Sequence, residues 1–137
     1  MKRFAGLVLL VGLALAPVST ALADSCWTHN GSLVRLKASG NDRWFYYEKP
    51  KASLAAAGVR KGTLLFDGVK SGNWYSGTAR VFSRYCPGSP LEYAVEGPVN
   101  AKQTRVTVSG TREVHEECQP TGRRTTDTLV FNYSHQC

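Results

Sequence analysis

From residue 34 to residue 133, short segments of the chain alternate hydrophobic and polar residues with a period of two. This period is typical of β-strands that bury one face and expose the other. Val34 and Leu36, for example, alternate with Arg35 and Lys37. The pattern predicts seven strands, at 34–37, 43–47, 63–66, 75–81, 91–96, 105–109 and 129–133.

The segments between these strands carry Gly, Pro, Asn or Asp almost everywhere, which favours tight turns. Short strands at close spacing, with half of their residues polar, indicate an antiparallel sheet. Residues 50–58 differ, because Pro50 stands where a helix can start and Gly58 where one can stop. Gly77 and Gly110 fall inside strands and indicate bends. We therefore predict an all-β fold, a small antiparallel β-barrel or sandwich of about seven strands, with one short helical segment near 50–58.

The first 23 residues have the pattern of a signal peptide. Lys2 and Arg3 give a positive start, residues 5–16 are an uncharged apolar run, and residues 21–23 have the small-x-small pattern that a signal peptidase recognises. The apolar run is shorter than the roughly 20 residues that cross a bilayer. We expect cleavage before Asp24, which leaves residues 24–137 as a single soluble β-domain, periplasmic or secreted, without a transmembrane segment.

All four cysteines lie after the predicted cleavage site. Export brings them into an oxidising compartment, which favours two disulfides, and four cysteines allow three pairings. Chain ends are often close in compact domains, so we favour Cys26–Cys137 together with Cys86–Cys118. A zinc site is the alternative, but the chain has no C-x-x-C or H-x-x-x-H spacing. We therefore predict no metal site.

Several turn and strand segments of the chain resemble a group of small, uncharacterised exported proteins of Gram-negative bacteria. The segments are CWTHNGS at 26–32, RWFYYE at 43–48, GTLLFDG at 62–68, YSGTA at 75–79 and TDTLVF at 126–131. The resemblance covers most of residues 26–137. It implies one exported β-domain and brings no activity or site residues with it.

One cluster offers candidate catalytic residues. His115 stands two residues from Glu113 and two from Glu117, so all three would share one face of an extended strand. A carboxylate there could orient or charge the imidazole for acid–base work on a glycan. A solvated polar face near Cys118 is the simpler interpretation, and we give it more weight. No nucleophile motif, phosphate loop or dinucleotide fingerprint occurs, so we predict no cofactor.

Charge provides a second set of candidates, for binding. The chain has 17 Lys and Arg against 10 Asp and Glu, a net charge of +7. Arg123 and Arg124 fall in the segment 119–126, which is predicted as a loop, where guanidinium groups can meet phosphates or carboxylates. Trp44 could stack on a sugar ring, although most aromatic residues on strands of a domain this small belong to the core.

These patterns favour an exported, non-catalytic β-module of unknown partner, either an anionic component of the cell envelope or another protein. Nucleic acid is not favoured, because the charge excess is modest. Three alternatives stay open. The first is inhibition of a lysozyme, which the positive charge disfavours because lysozymes are themselves cationic. The second is a glycan-acting enzyme that uses His115, and the third is a barrel that encloses a small apolar ligand.

Overall fold

Residues 24–137 form a closed barrel of eight antiparallel strands with one 3₁₀ helix. The computed structural model describes residues 11–14 and 24–137, so most of the predicted signal peptide lies outside the described residues. The helix is Ala52–Ala57, and the strands are β1 (Ser25–His29), β2 (Ser32–Ser39), β3 (Asp42–Lys49), β4 (Leu64–Ser71), β5 (Trp74–Val81), β6 (Leu91–Pro98), β7 (Arg105–Glu116) and β8 (Gln119–Gln136).

Each strand pairs with its neighbours in the sequence, and β1 pairs with β8 to close the barrel. The predicted antiparallel β-barrel is thus confirmed, with eight strands where the sequence pattern predicts about seven. The additional strand is β1, in which Trp27 and His29 are buried and Thr28 is exposed. Pairing with two neighbours, β2 and β8, makes a strand of these five residues.

The two ends of the barrel differ in what lies over them. We call one the open end; it carries the β2–β3, β4–β5 and β6–β7 turns with the start of β1 and the end of β8. The other, the closed end, carries the β1–β2 and β7–β8 turns and the two longer connections, residues 50–63 and 82–90.

Aromatic and aliphatic side chains fill the barrel. Phe45 stacks on Phe131 with their ring centroids 4.0 Å apart, and both side chains are fully buried, as is that of Phe66. Val34, Val106 and Val108 are also completely buried. This packing does not favour an enclosed apolar ligand, and it leaves the two ends and the outer surface as places where a ligand can bind.

The helical segment predicted near 50–58 is confirmed as the 3₁₀ helix Ala52–Ala57. It ends at Gly58, whose φ of 80° is the left-handed conformation that glycine adopts without strain. Ala57 and Val59 are buried in the core cluster, and Leu54 packs against it. The connection between β3 and β4 therefore covers the closed end.

The two glycines predicted to mark bends lie where strands approach closely. A Cβ atom at Gly77 would collide with the carbonyl oxygen of Asp67 on β4, and one at Gly110 with that of Ala94 on β6. Gly77 stands directly opposite Gly68, so neither strand places a side chain between the two backbones. Glycine at these sites lets neighbouring strands come closer together than other residues allow.

Both disulfides join the predicted partners. Cys26–Cys137 ties β1 to the end of β8 at the open end, and Cys86–Cys118 ties the connection 82–90 to the β7–β8 turn at the closed end. Two disulfides in a domain of this size suggest an oxidising compartment. Among the described residues, no helix is long and apolar enough to cross a membrane.

Candidate functional site

A cleft of about 480 Å³ lies beside the Cys86–Cys118 disulfide at the closed end. Val81, Phe82 and Leu91 form its apolar part, and Arg112 and His115 reach it from β7. The β7–β8 hairpin extends past the strands beside it, and the disulfide holds the connection 82–90 against the hairpin tip.

The structure brings two of the three predicted catalytic residues together. The Nε2 atom of His115 lies 4.0 Å from the Oε2 atom of Glu113, so these side chains share one face as expected. Glu117 instead forms the β7–β8 turn with Cys118, and both residues have positive φ angles, 49° and 64°. The prediction that Glu117 lies on the strand is therefore wrong, because the chain reverses one residue earlier, in the conformation typical of two-residue hairpin turns.

The cationic group of this cleft is already neutralised by its surroundings. Arg112 donates a short hydrogen bond from Nε to Oδ2 of Asp127. The same carboxylate oxygen accepts from the hydroxyl of Tyr93 at 3.4 Å. Burial, with a smaller contribution from Asp127, raises the pKa of Tyr93 to about 12. These three residues form an internal network with little charge left for a ligand.

The expectation that Arg123 and Arg124 lie in a loop is wrong. Both belong to β8, because this strand pairs with β7 on either side of a register shift. Arg124 stands opposite Glu113 before the shift, and Pro120 stands opposite His115 after it. The guanidinium of Arg123 forms an ion pair with Glu116. The structure thus places each arginine beside a carboxylate on the neighbouring strand.

Trp44, the candidate for sugar stacking, lies on the outer face of β3 and is half-buried. It stands opposite Lys37 on β2 and Asp67 on β4. The arginine pair lies on β8 near the closed end, so the predicted binding residues do not form one site.

A second cleft, of about 300 Å³, opens at the mouth of the barrel at the open end. Trp27 and Tyr75 form its floor and are each 3% exposed. Tyr133, which is 38% exposed, stands at its rim with its ring perpendicular to that of Trp27. Ser25, Leu36, Ala38, Arg43, Gln103 and Gln136 complete the lining. We call this the mouth cleft.

Among the residues that the structure describes, Arg43 is the only cationic one that lines the mouth cleft. It belongs to the inward face of β3, two residues before the buried Phe45. Its Nη1 atom donates to the backbone oxygens of Gly40 and Asp42, both at 2.8 Å. Burial raises the pKa of Tyr75, and the charge of the adjacent Arg43 guanidinium, together with a hydrogen bond from it, opposes that shift.

Within residues 24–137, no carboxylate lies within 4.0 Å of the Arg43 guanidinium. Other partly buried arginines of the barrel contrast with it. Arg35 pairs with Asp24 and Glu48, and this pairing lowers the pKa of Glu48 to about 2. Arg80 likewise pairs with two carboxylates, on β4 and β6. Arg43 therefore presents a charge that no side chain balances.

The mouth cleft is missing from the sequence-based predictions, although one signal for it exists. The alternation that places Phe45 and Tyr47 inside the barrel also places Arg43 on the inward face. A cation at an inward position is unusual, because burial of a charge is costly unless it is paired or near solvent. The other lining residues come from four further strands and one turn, and only the closed barrel brings them together.

No group of three or more potential metal ligands occurs in the part of the chain that the structure describes. The chain matches no family model, no curated protein and no solved structure. The site must therefore be interpreted from its own geometry.

Proposed function

We propose that the chain is an exported, non-catalytic binding module that holds a component of the cell envelope at the mouth cleft. The N-terminal sequence pattern and the two disulfides support export into an oxidising compartment. The packed interior directs binding to the surface, and a concave site with aromatic walls and a few polar groups is the usual form of a ligand site.

The unbalanced guanidinium of Arg43 inside this cleft is the observation that carries the proposal. A partly buried cation without a carboxylate partner costs free energy in the unliganded protein. An anionic ligand group recovers that cost, since hydrogen bonds between charged partners are roughly twice as strong as neutral ones. Lys70, near the end of β4, and Lys102, in the β6–β7 turn, lie at the open end and add positive potential around the mouth.

The closed-end cleft supports the proposal less well. It is the larger of the two, but Arg112 is bound to Asp127, and Glu113 lies beside His115 and accepts a hydrogen bond from the backbone amide of Gly122. An anionic ligand there would have to displace a carboxylate that the fold already holds in place. A ligand at Arg43 would displace only water.

The test is co-sedimentation of the disulfide-bonded protein with purified Gram-negative cell envelopes at low and high salt. Arg43→Gln is compared with Arg105→Gln, a matched control at the same end of the barrel. Arg105 is exposed and alternates with the buried Val106, so its side chain faces outward. Both variants lose one positive charge, and only the first loses a group of the mouth cleft.

We expect the wild-type protein and Arg105→Gln to sediment with the envelopes to similar extents. Arg43→Gln should bind about tenfold more weakly, as expected for loss of a charged hydrogen-bonding partner. Equal binding by the two variants would contradict the proposed site. No sedimentation of the wild-type protein at either salt concentration would contradict envelope binding altogether.

A further inference from the structure

We infer that the mouth cleft binds a pyranose sugar ring that carries a carboxylate. The inference rests on the proposed function and names the ligand class of the same site. Three features of the cleft support it: a cationic group for the carboxylate, aromatic rings for the sugar face, and amide oxygens for the sugar hydroxyls.

Arg43 supplies the group that recognises the carboxylate. Its guanidinium has five N–H donors, of which the fold engages those of Nη1 with the backbone oxygens of Gly40 and Asp42 and one more with the Tyr75 hydroxyl. The remaining donors can form the two parallel hydrogen bonds that guanidinium and carboxylate groups favour. The Tyr75 hydroxyl lies next to this guanidinium and adds a neutral donor.

The aromatic residues supply an apolar wall of the size of one sugar ring. Tyr133 is the exposed member, at the rim, and Trp27 packs edge-on against it with ring centroids 5.8 Å apart. A rigid wall of this kind stacks on the C–H face of a sugar, which is apolar although the edges of the sugar are polar. Trp27 is held in place by a hydrogen bond from its Nε1 atom to the Ser25 hydroxyl at 2.8 Å.

Two glutamines present acceptors to the cleft. Gln103 uses its amide NH₂ group to donate to Asn73 Oδ1 and to the Asn100 backbone oxygen, both at 3.1 Å. Gln136 donates from its amide nitrogen to the Tyr133 hydroxyl at 3.2 Å. Each side-chain oxygen is then left to accept a hydrogen bond from a sugar hydroxyl.

The size and polarity of the cleft narrow the ligand further. A volume of about 300 Å³ is at the lower end of the range for small-molecule sites, so it suits one ring better than an extended chain. An aromatic carboxylate would satisfy Arg43 and Tyr133, but it would form no hydrogen bonds with the two glutamine oxygens, whereas sugar hydroxyls can donate to both.

Isothermal titration calorimetry of the disulfide-bonded protein tests the ligand class with three probes. Methyl glucuronide carries both the sugar ring and the carboxylate, methyl glucoside carries only the ring, and benzoate carries only the carboxylate on an aromatic ring. We expect methyl glucuronide to bind at least about tenfold more tightly than either of the others.

Variants assign the binding to two of the three features, the cationic group and the aromatic wall. Arg43→Gln should reduce methyl glucuronide affinity to that of methyl glucoside, whereas Arg105→Gln should leave it unchanged. Tyr133→Ala should weaken binding of both sugars, and Tyr133→Phe should largely restore it because the ring remains. Every variant should retain a cooperative thermal unfolding transition, which shows that it is folded.

Two kinds of result would overturn the inference. One is a wrong order of affinities, either equal affinity for the two sugars or benzoate as the tightest of the three ligands. The other is the absence of any sugar binding while envelope co-sedimentation still depends on Arg43, which would retain the proposed function and exclude this ligand class. Loss of the Arg43 dependence of co-sedimentation would instead contradict the proposed function itself.

Discussion

The two ends of the barrel use charge in opposite ways. At the closed end, Arg112 and Arg123 each have a carboxylate partner, Asp127 and Glu116, on the neighbouring strand. At the open end, the guanidinium of Arg43 faces a cleft, and its polar contacts within residues 24–137 are with backbone oxygens and a tyrosine hydroxyl. The closed end therefore uses its charges for structure, and the open end leaves a charge available for binding.

This difference shows that the density of charged residues in a sequence does not indicate which charges the fold leaves without an ion-pair partner. The sequence suggests a site at the closed end because His115, three glutamates and two adjacent arginines lie close together there. In the fold, the cross-strand pairing of β7 and β8 places those charges beside one another. Arg43 has one charged residue beside it in the sequence, Asp42, and its position on the inward face of β3 is what distinguishes it.

Removal of either disulfide is expected to have the largest effect on stability, and the two disulfides lie at opposite ends of the barrel. Replacement of Cys26 and Cys137 by serine should lower the free energy of unfolding by about 5 kcal/mol, and replacement of Cys86 and Cys118 by about 4 kcal/mol, as loop entropy predicts. The two bridges span 111 and 32 residues. Urea unfolding followed by tryptophan fluorescence measures both values.

The same variants separate the functions of the ends. Loss of Cys26–Cys137 loosens β1 from β8 next to Ser25 and Gln136, so envelope binding should fall. Loss of Cys86–Cys118 acts at the far end and should leave binding intact, provided that the protein is still folded. Abolition of binding by the second replacement alone would indicate that the closed end carries the site.

A smaller effect on the free energy of unfolding is expected at acid pH from His29, which lies at the closed end. This histidine is 6% exposed, stacks on Phe131 with a centroid distance of 4.6 Å, and has its Nδ1 atom 3.0 Å from the Val130 backbone oxygen. Burial lowers its pKa below the ordinary value of 6.5, and a hydrogen bond with the Val130 backbone opposes the shift. The unfolded chain therefore takes up a proton at a pH where the folded chain does not.

The contribution of His29 to stability is complete above pH 6.5 and declines as the pH falls below that value. The decline is at most about 1.4 kcal/mol per pH unit, the limit for one proton. Urea unfolding at pH 5 and at pH 7.5 should show a smaller difference for His29→Gln than for the wild-type protein. Identical pH dependence in the two proteins would show that the buried imidazole titrates normally.

Local sequence signals predict the fold well where each element depends on its own residues. Period-two alternation locates β2 to β8, and Pro50 with Gly58 bounds the helical segment, because these preferences act over a few residues. The strand β1 is missed because five residues with a cysteine and three polar side chains give little alternation, and its conformation depends on pairing with β2 and β8.

The candidate site is harder to predict, for two physical reasons. Pro120 and Gly122 make the segment around Arg123 look like a loop, yet pairing with β7 on both sides of it, across a register shift, extends the strand through it. The mouth cleft combines β1, β2, β3, β5, β8 and the β6–β7 turn. Their proximity follows from barrel closure, which no local pattern contains.

The most direct test of the account is a titration of the ¹⁵N-labelled, disulfide-bonded protein with methyl glucuronide, followed by nuclear magnetic resonance. We predict saturable shifts of the Trp27 indole N–H, the Arg43 Nε–H and the side-chain amides of Gln103 and Gln136, with no change near Cys118. Shifts confined to the closed-end cleft around His115, or no shifts at all, would contradict the assignment of the mouth cleft as the binding site.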